Sequence, residues 1–239
     1  MFDIADWLKG QDSYEEQGRS LGEKLILVKH KQTGDWRKLK FGLDNADRYL
    51  INQEALWLKR SSNCHDIKCY LSQNNGTFHL IIMDYVLGSS MSEHLKSENC
   101  LFDHTLMMSS LFEKIEGLHE QGIVHGDIKP SNVVIHEQEA NLIDMGSCGW
   151  INQAYASKKY RSFTPVYALP NRYLLDSFQP IVDWYAYILM LNLLKKGSVY
   201  PLNDVNFDAF LGFQEQIIYS YSLNKKQELF LLKQLKSMA

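Results

Sequence analysis

The chain has 239 residues, and its hydrophobic fraction of 45% and charged fraction of 22% are ordinary for a globular protein. This length allows a substantial core in one domain or in one two-lobed unit. The formal net charge of −3 argues against a general binder of nucleic acid or of anionic membranes. No apolar run approaches the ~20 residues of a membrane span, the start lacks the layout of a secretory signal, and no cysteines form a C-x-x-C pair. We therefore expect a cytoplasmic protein with reduced thiols that binds neither nucleic acid nor a membrane.

The first part of the chain is predicted to contain mainly strands and one main helix. Continuous or alternating apolar residues indicate the strands, and apolar residues at helical spacing indicate the helix. A further short amphipathic helix at the start is expected to pack against the body of the protein. The predicted elements are a short helix at residues 2–9, strands at 25–28, 36–41 and 78–83, turns at 31–35 and 73–76, and the main helix at 47–60.

After Gly88 the pattern becomes helical, apart from one predicted β-hairpin. Gly122 follows the first long helix and is a plausible C-terminal stop. A segment that is apolar nearly all round predicts a buried helix. The predicted elements are a helix at 105–120, hairpin strands at 133–135 and 141–143, an irregular segment at 146–180, the buried helix at 184–194, and two or three helices within 204–238.

Two short motifs in this second part point to a chemistry. Residues 125–132 read H-G-D-I-K-P-S-N, and the predicted hairpin separates them from D-M-G at residues 144–146. Either motif alone is common in loops and turns, whereas their order and spacing place two carboxylates side by side at strand ends. Phosphoryl transfer requires a carboxylate that accepts the hydroxyl proton, a lysine that neutralises the migrating group, and oxygen ligands for Mg²⁺. The residues that can supply these groups are Asp127, Lys129, Asn132 and Asp144.

The two motifs resemble the H-R-D-x-K-x-x-N catalytic loop and the D-F-G triplet of the protein-kinase superfamily. The resemblance covers most of residues 20–195. It implies an α+β, two-lobed fold in one kinase domain, with a small sheet-rich, nucleotide-binding N-lobe at 1–86 and a larger, mainly helical C-lobe at 87–239. It also implies ATP and Mg²⁺ as cofactors and a protein substrate with a Ser or Thr acceptor, and it leaves room for a regulatory partner or a dimer.

In the N-lobe the resemblance assigns a lysine and a glutamate to the nucleotide site. Lys40 matches the lysine that binds the α- and β-phosphates, and Glu54 in the following helix matches the glutamate that pairs with it. Two alternatives stay open. Both charges could be solvated surface groups, and Lys38, on the same face of the strand, is a second candidate for the phosphate ligand.

Two further segments of the N-lobe resemble nucleotide-binding parts. Gly18 and Gly22 are what remains of the glycine-rich loop, whose backbone amides approach phosphate closely. Met83, Asp84 and Val86 match the gatekeeper and the hinge, where backbone groups hydrogen-bond the adenine edge.

In the C-lobe the resemblance assigns Asp127 as catalytic base, with His125 as structural support. Gly126 replaces the arginine that usually receives an activating phosphate, which implies that activity does not depend on that switch. Met145 replaces the phenylalanine of D-F-G as an apolar packing residue. Asp183 matches the aspartate that anchors the backbone of the catalytic loop.

Residues 164–171 resemble the T-P-x-Y-x-A-P-E segment that closes the activation segment, with Asn171 in place of glutamate. Lys129 and Thr164 match the pattern of Ser/Thr-specific kinases, in which both side chains reach toward the acceptor hydroxyl. Two alternatives remain from the same residues. The chain could be a pseudokinase that acts as an interaction module, or a kinase-fold phosphotransferase acting on small molecules.

Overall fold

The structure of the protein is a computed structural model that describes residues 4–22, 24–60, 67–97, 103–169, 175–199, 207–221 and 223–238. The predicted helical residues 2–3 and 204–206, and the end of the activation segment at Pro170 and Asn171, lie outside this description. Internal contacts divide the chain into two compact units, Met1–Val86 and Leu87–Ala239.

The N-terminal unit is a five-stranded antiparallel sheet with two helices. The sheet has the strand order β1-β2-β3-β5-β4. Alternate residues of its central strands form one buried hydrophobic core, and α1 packs on this core through Leu8, as expected for the short N-terminal helix. The elements are α1 (Ile4–Lys9), β1 (Tyr14–Gly22), β2 (Leu25–His30), β3 (Trp36–Gly42), α2 (Asn45–Arg60), β4 (Cys69–Asn74) and β5 (His79–Asp84).

The helix α2 lies close to the end of β3 because the chain between them turns tightly. Gly42 has no room for a side chain, since an added Cβ would lie 2.6 Å from the Cβ of Asp47. The carboxylate of Asp44 accepts a hydrogen bond of 2.8 Å from the backbone N–H of Asp47 and so satisfies one of the open donors of the first turn. The buried face of α2 contains Ile51, Glu54, Ala55, Trp57 and Leu58.

The C-terminal unit is mainly helical and contains the predicted hairpin. Its small sheets have the orders β6-β8-β9 and β7-β10. The elements are β6 (Ser89–Ser90), α3 (Met91–His94), α4 (His104–Glu120), β7 (Ile123–Val124), β8 (Val133–His136), β9 (Glu139–Leu142), β10 (Gly149–Trp150), α5 (Ile181–Lys196), α6 (Phe207–Ser220) and α7 (Lys225–Lys236).

The long helices α4 and α5 form the core of this unit. The carboxylate of Asp103 caps α4 by accepting hydrogen bonds from the backbone of Thr105 and Leu106. Gly122, in the left-handed region with φ 77°, follows the end of α4 as predicted. Residues 182–192 of α5 are buried without interruption, which confirms the predicted buried helix. No helix in the described ranges combines the length and the apolar character that crossing a membrane requires.

Candidate active site

The loop between β7 and β8 brings a carboxylate, a lysine and a threonine into one hydrogen-bonded group. Asp127 is 7% exposed. One of its carboxylate oxygens lies 2.8 Å from Nζ of Lys129, and the other accepts a hydrogen bond of 2.8 Å from the backbone N–H of Thr164. Nζ of Lys129 also donates to Oγ1 of Thr164 at 2.9 Å. The three predicted residues therefore meet at one point, although Thr164 lies 37 positions after Asp127.

Asn132 holds the loop in shape from its C-terminal end. It is the last residue of a 3₁₀ turn at Pro130–Asn132. Its side-chain nitrogen donates a hydrogen bond of 2.9 Å to the backbone carbonyl of Asp127. Since the amide nitrogen is engaged within the protein, the amide oxygen is the atom of Asn132 that remains for a metal ion.

The hairpin of β8 and β9 places Asp144 beside Asn132. Val133 pairs with Leu142, and the backbone N–H of Ile143 donates to the carbonyl of Asn132 at 2.9 Å, so Asp144 comes directly after the paired residues. Asp144 has φ 68° and ψ 67°, a left-handed conformation that aspartate tolerates better than most residues. An amide oxygen and a carboxylate form the oxygen donor set that Mg²⁺ prefers, so these two residues fit that ion.

Asp183, at the start of the buried helix α5, anchors the other end of the loop. Its carboxylate accepts hydrogen bonds of 2.8 Å from the backbone N–H groups of both His125 and Gly126. It also lies 2.9 Å from Nε2 of His119 in the last turn of α4. Burial alone would raise the pKa of Asp183, but the hydrogen bond and charge of His119, with further support from His125 and Gly126, outweigh burial and hold that pKa below its usual value. The contact with His119 was not predicted, because a separation of 64 residues leaves no local signal in the sequence.

His125 connects the loop to the hairpin. It is fully buried, its Nε2 lies 3.2 Å from the carbonyl oxygen of Ile143, and its Nδ1 accepts a hydrogen bond of 3.3 Å from the backbone N–H of Asp127. Both ring nitrogens thus fix the backbone, one at Asp127 and the other at Ile143, directly ahead of Asp144. This geometry is consistent with the supporting position predicted for His125.

Two replacements in the motifs have local physical reasons. Gly126 has φ 82°, a conformation that glycine adopts more easily than any residue with a side chain. Met145 is fully buried, and its sulfur lies 3.7 Å from the sulfur of Cys148, so it packs as predicted.

In the N-terminal unit the structure pairs Lys40 with Glu54. Nζ of Lys40 lies 2.7 Å from Oε2 of Glu54, and the glutamate side chain is only 1% exposed. The alternative in which both charges are solvated is therefore wrong for Glu54. The pairing also favours Lys40 over Lys38 as the lysine of the predicted ion pair.

The remaining predicted residues of this unit lie at strand ends. Met83 is buried in β5 opposite Lys38, and Asp84 ends that strand. The carboxylate of Asp84 accepts a hydrogen bond of 2.9 Å from the backbone of Lys68. Val86 follows as the last residue of the unit, and Gly22 ends β1 where its pairing with β2 is irregular.

A hydrogen-bonded loop of this kind, in a helical unit that follows an antiparallel sheet along the chain, is consistent with the kinase class of phosphotransferases. Residues 24–236 match the protein kinase domain, and the chain therefore belongs to the protein kinase family. This result confirms the resemblance predicted from the two motifs.

Relatives in this family include viral and plant proteins. The chain is 28% identical over 192 residues to serine/threonine-protein kinase 1 of Heliothis zea nuclear polyhedrosis virus, an alignment covering 78% of this chain and 69% of the viral protein. It is 35% identical over 150 residues to mitogen-activated protein kinase kinase 2 of Arabidopsis thaliana, which covers 58% of this chain but only 40% of the plant protein.

A solved structure confirms the predicted fold. The chain is similar to the kinase PK-1 of Cydia pomonella granulovirus with a TM-score of 0.67 and 20% sequence identity. The match covers 97% of this chain and 90% of the granulovirus chain. The α+β protein-kinase fold is thereby shown.

Proposed function

We propose that this protein transfers the γ-phosphoryl group of ATP to Ser or Thr hydroxyls of a protein substrate. Family membership and the similarity to Ser/Thr kinases support protein phosphorylation in general. The observation that carries the more specific proposal is the hydrogen-bonded group of Asp127, Lys129 and Thr164.

Each member of that group has a role in the proposed reaction. The substrate hydroxyl oxygen forms a bond to the γ-phosphorus while the bond from that phosphorus to ADP breaks, and Asp127 orients the hydroxyl and accepts its proton. Asp127 retains acceptor capacity for this, because a carboxylate offers about four lone-pair positions. Lys129 neutralises negative charge on the migrating group, and Thr164 fixes the lysine and the carboxylate relative to each other.

We propose cofactor ligands for each unit by itself. In the C-terminal unit, Asn132 and Asp144 would hold Mg²⁺, which supplies positive charge to the phosphate oxygens when bound. In the N-terminal unit, Lys40 would bind the α- and β-phosphates, oriented by its 2.7 Å contact with Glu54. Because Gly126 offers no guanidinium, we propose that activity does not require a phosphate on the activation segment bound by that position.

The test is transfer of labelled γ-phosphate from ATP with Mg²⁺ to the chain itself and to generic acidic and basic proteins. Asp127→Asn should lower the rate by about 10²- to 10⁴-fold, the usual contribution of a positioned general base. Asp176→Asn, the same change at an exposed carboxylate, is the matched control and should leave the rate within about twofold, since no catalytic contact is removed.

Each other outcome would contradict the proposal in a distinct way. Label on tyrosine alone would contradict the Ser/Thr assignment. Nucleotide binding in a thermal-shift assay without transfer to any protein would favour the small-molecule phosphotransferase. Absence of both binding and transfer would favour the interaction module.

A further inference from the structure

A second candidate site lies in the irregular segment that precedes Thr164. Residues 145–175 contain four Lys or Arg and no Asp or Glu, in a chain whose net charge is −3. Three of these cations, Lys158, Lys159 and Arg161, line a cavity of about 420 Å³ within the C-terminal unit. Among the described residues that line this cavity, none is acidic. The cavity is therefore locally positive, and it is suited to an anion.

The cations of this cavity lie against an aromatic floor. Tyr155 and Phe178 are 4% and 2% exposed, and their ring centroids are 4.3 Å apart. Nζ of Lys158 lies 5.8 Å from the ring of Phe178, and the guanidinium carbon of Arg161 lies 5.7 Å from the ring of Tyr155. Such contacts favour defined positions for the charged groups. Cations above an apolar floor suit an anionic group carried on a side chain.

The cavity adjoins the catalytic loop. Phe163 lines both this cavity and a smaller one that Asp127 and Thr164 also line. Arg161 precedes Thr164 by three residues, and three residues span at most about 11 Å. An anion held by Arg161 would therefore belong to a residue a few positions from the acceptor in an extended peptide.

Exposed apolar side chains also bracket Thr164. Phe163 and Val166 are 44% and 51% exposed, and a peptide bound beside Asp127 would cover them. The cavity volume of about 420 Å³ falls within the roughly 300–1,000 Å³ that is typical of ligand-binding pockets. These two features favour a side chain from another molecule as the occupant.

We propose that this cavity selects protein substrates that carry a phosphorylated or strongly acidic side chain about three residues from the acceptor hydroxyl. Lys158 and Arg161 hold the anion, and Phe163 separates it from the acceptor. The selection rests on the proposed kinase function, but binding of the anion forms and breaks no covalent bond. A phosphate on residues 155–163 of this chain could bind the same cations as a phosphate on a substrate. The test therefore has to distinguish a phosphate of the substrate from one of the chain itself.

The test compares serine peptides of neutral sequence with the same peptides carrying phosphoserine three positions before or after the acceptor. For the wild type, kcat/KM should be about tenfold higher for one of the phosphorylated peptides than for its neutral counterpart. Each of the two cations is expected to contribute a factor of a few to this ratio. In the double variant Lys158→Gln/Arg161→Gln this ratio should fall to about one. In Lys196→Gln/Lys233→Gln, which removes two exposed cations elsewhere in the unit, the ratio should persist.

Binding of the same peptides, measured by fluorescence anisotropy without nucleotide, separates this proposal from the kinase function. If no peptide is phosphorylated, the proposed kinase function fails. Even then, a binding preference for the phosphopeptide that is lost in the Lys158/Arg161 variant and kept in the Lys196/Lys233 variant supports the anion subsite. Equal binding and equal kcat/KM for neutral and phosphorylated peptides overturn it. If incubation with ATP phosphorylates residues 155–163 and that form no longer binds the phosphopeptide, the cavity holds the chain's own phosphate, and substrate selection is overturned.

Discussion

Replacement of Asp183 by asparagine should destabilise the protein strongly, although the two side chains have nearly the same shape. The carboxylate is 1% exposed and accepts two backbone hydrogen bonds of 2.8 Å. Asparagine keeps one acceptor oxygen, but its NH₂ group faces the second backbone N–H and leaves that donor unsatisfied. The loss of one charge-assisted bond, at about 1.5–3 kcal/mol, and a buried unsatisfied donor, at about 1–3 kcal/mol, sum to roughly 2.5–6 kcal/mol.

For a protein of this size such a loss lowers the melting temperature by about 10 °C, which a thermal unfolding scan followed by circular dichroism measures. Asp176→Asn serves again as the control and should shift the melting temperature by less than about 2 °C. A shift equally small for Asp183→Asn would refute the argument that the charged carboxylate holds the loop.

The pH dependence offers an independent check on the same residue. Burial alone would raise the pKa of Asp183, but the hydrogen bond and charge of His119, with smaller contributions from His125 and Gly126, hold that pKa below its usual value in the folded protein. A lowered folded pKa means that the stabilisation is present above the unfolded value, about 3.9, and is lost as the pH falls through the folded value. Below about pH 4 the wild type should therefore lose stability more steeply than Asp183→Asn, and parallel curves would contradict this.

Three further predictions concern other contacts. Gly88→Ala should cost more than about 2 kcal/mol of stability in a denaturant titration, because the new Cβ would clash with the backbone carbonyl oxygen of Ile135 in β8. Gly76→Ala, also at positive φ but with nothing within 4 Å of the new Cβ, should cost less in that titration. Lys40→Met should cost about 1–3 kcal/mol by leaving Glu54 without its cation, and adding Glu54→Gln should recover part of the lost melting temperature; no recovery would show that the pair is not coupled. Thr164→Val should lower kcat about tenfold by removing a hydroxyl that orients the catalytic lysine, while Thr164→Ser should keep it, and equal rates for both would exclude a role for the hydroxyl.

The buried elements were predictable from the sequence, and the sheet edges were not. β2, β3 and β5 occupy the middle of the sheet, so their apolar residues reveal them. The strands β1 and β4 lie at the two edges. Gln73 and Asn74 were predicted as a turn, and the structure places them at the end of β4, where both are exposed. An edge strand buries less of its surface and therefore leaves a weaker hydrophobic pattern.

The local chemistry of the candidate site was predictable because its groups lie within short motifs. The position of Asp127 relative to Asn132 follows from five residues of chain, and that of Asp144 from a tight hairpin. The contact of Thr164 with Asp127 needed the resemblance to a family, since 37 residues separate them. The basic cavity was not predicted, because nothing in the spacing of Lys158 and Arg161 indicates that the rings of Phe178 and Tyr155 lie beneath them.

The anchoring of the catalytic loop on α5 has a consequence for how the loop opens. The amide hydrogens of His125 and Gly126 are bonded to a carboxylate that belongs to a helix buried from residue 182 to 192. Their exchange with deuterated solvent should require the cooperative opening of that helix, at a free energy close to that of global unfolding. The segment that precedes Thr164 is held differently, since the hydroxyl of Ser147 donates a hydrogen bond of 3.0 Å to the backbone carbonyl of Ser162. The backbone that leads into Asp127 should therefore be among the last parts of the C-terminal unit to open.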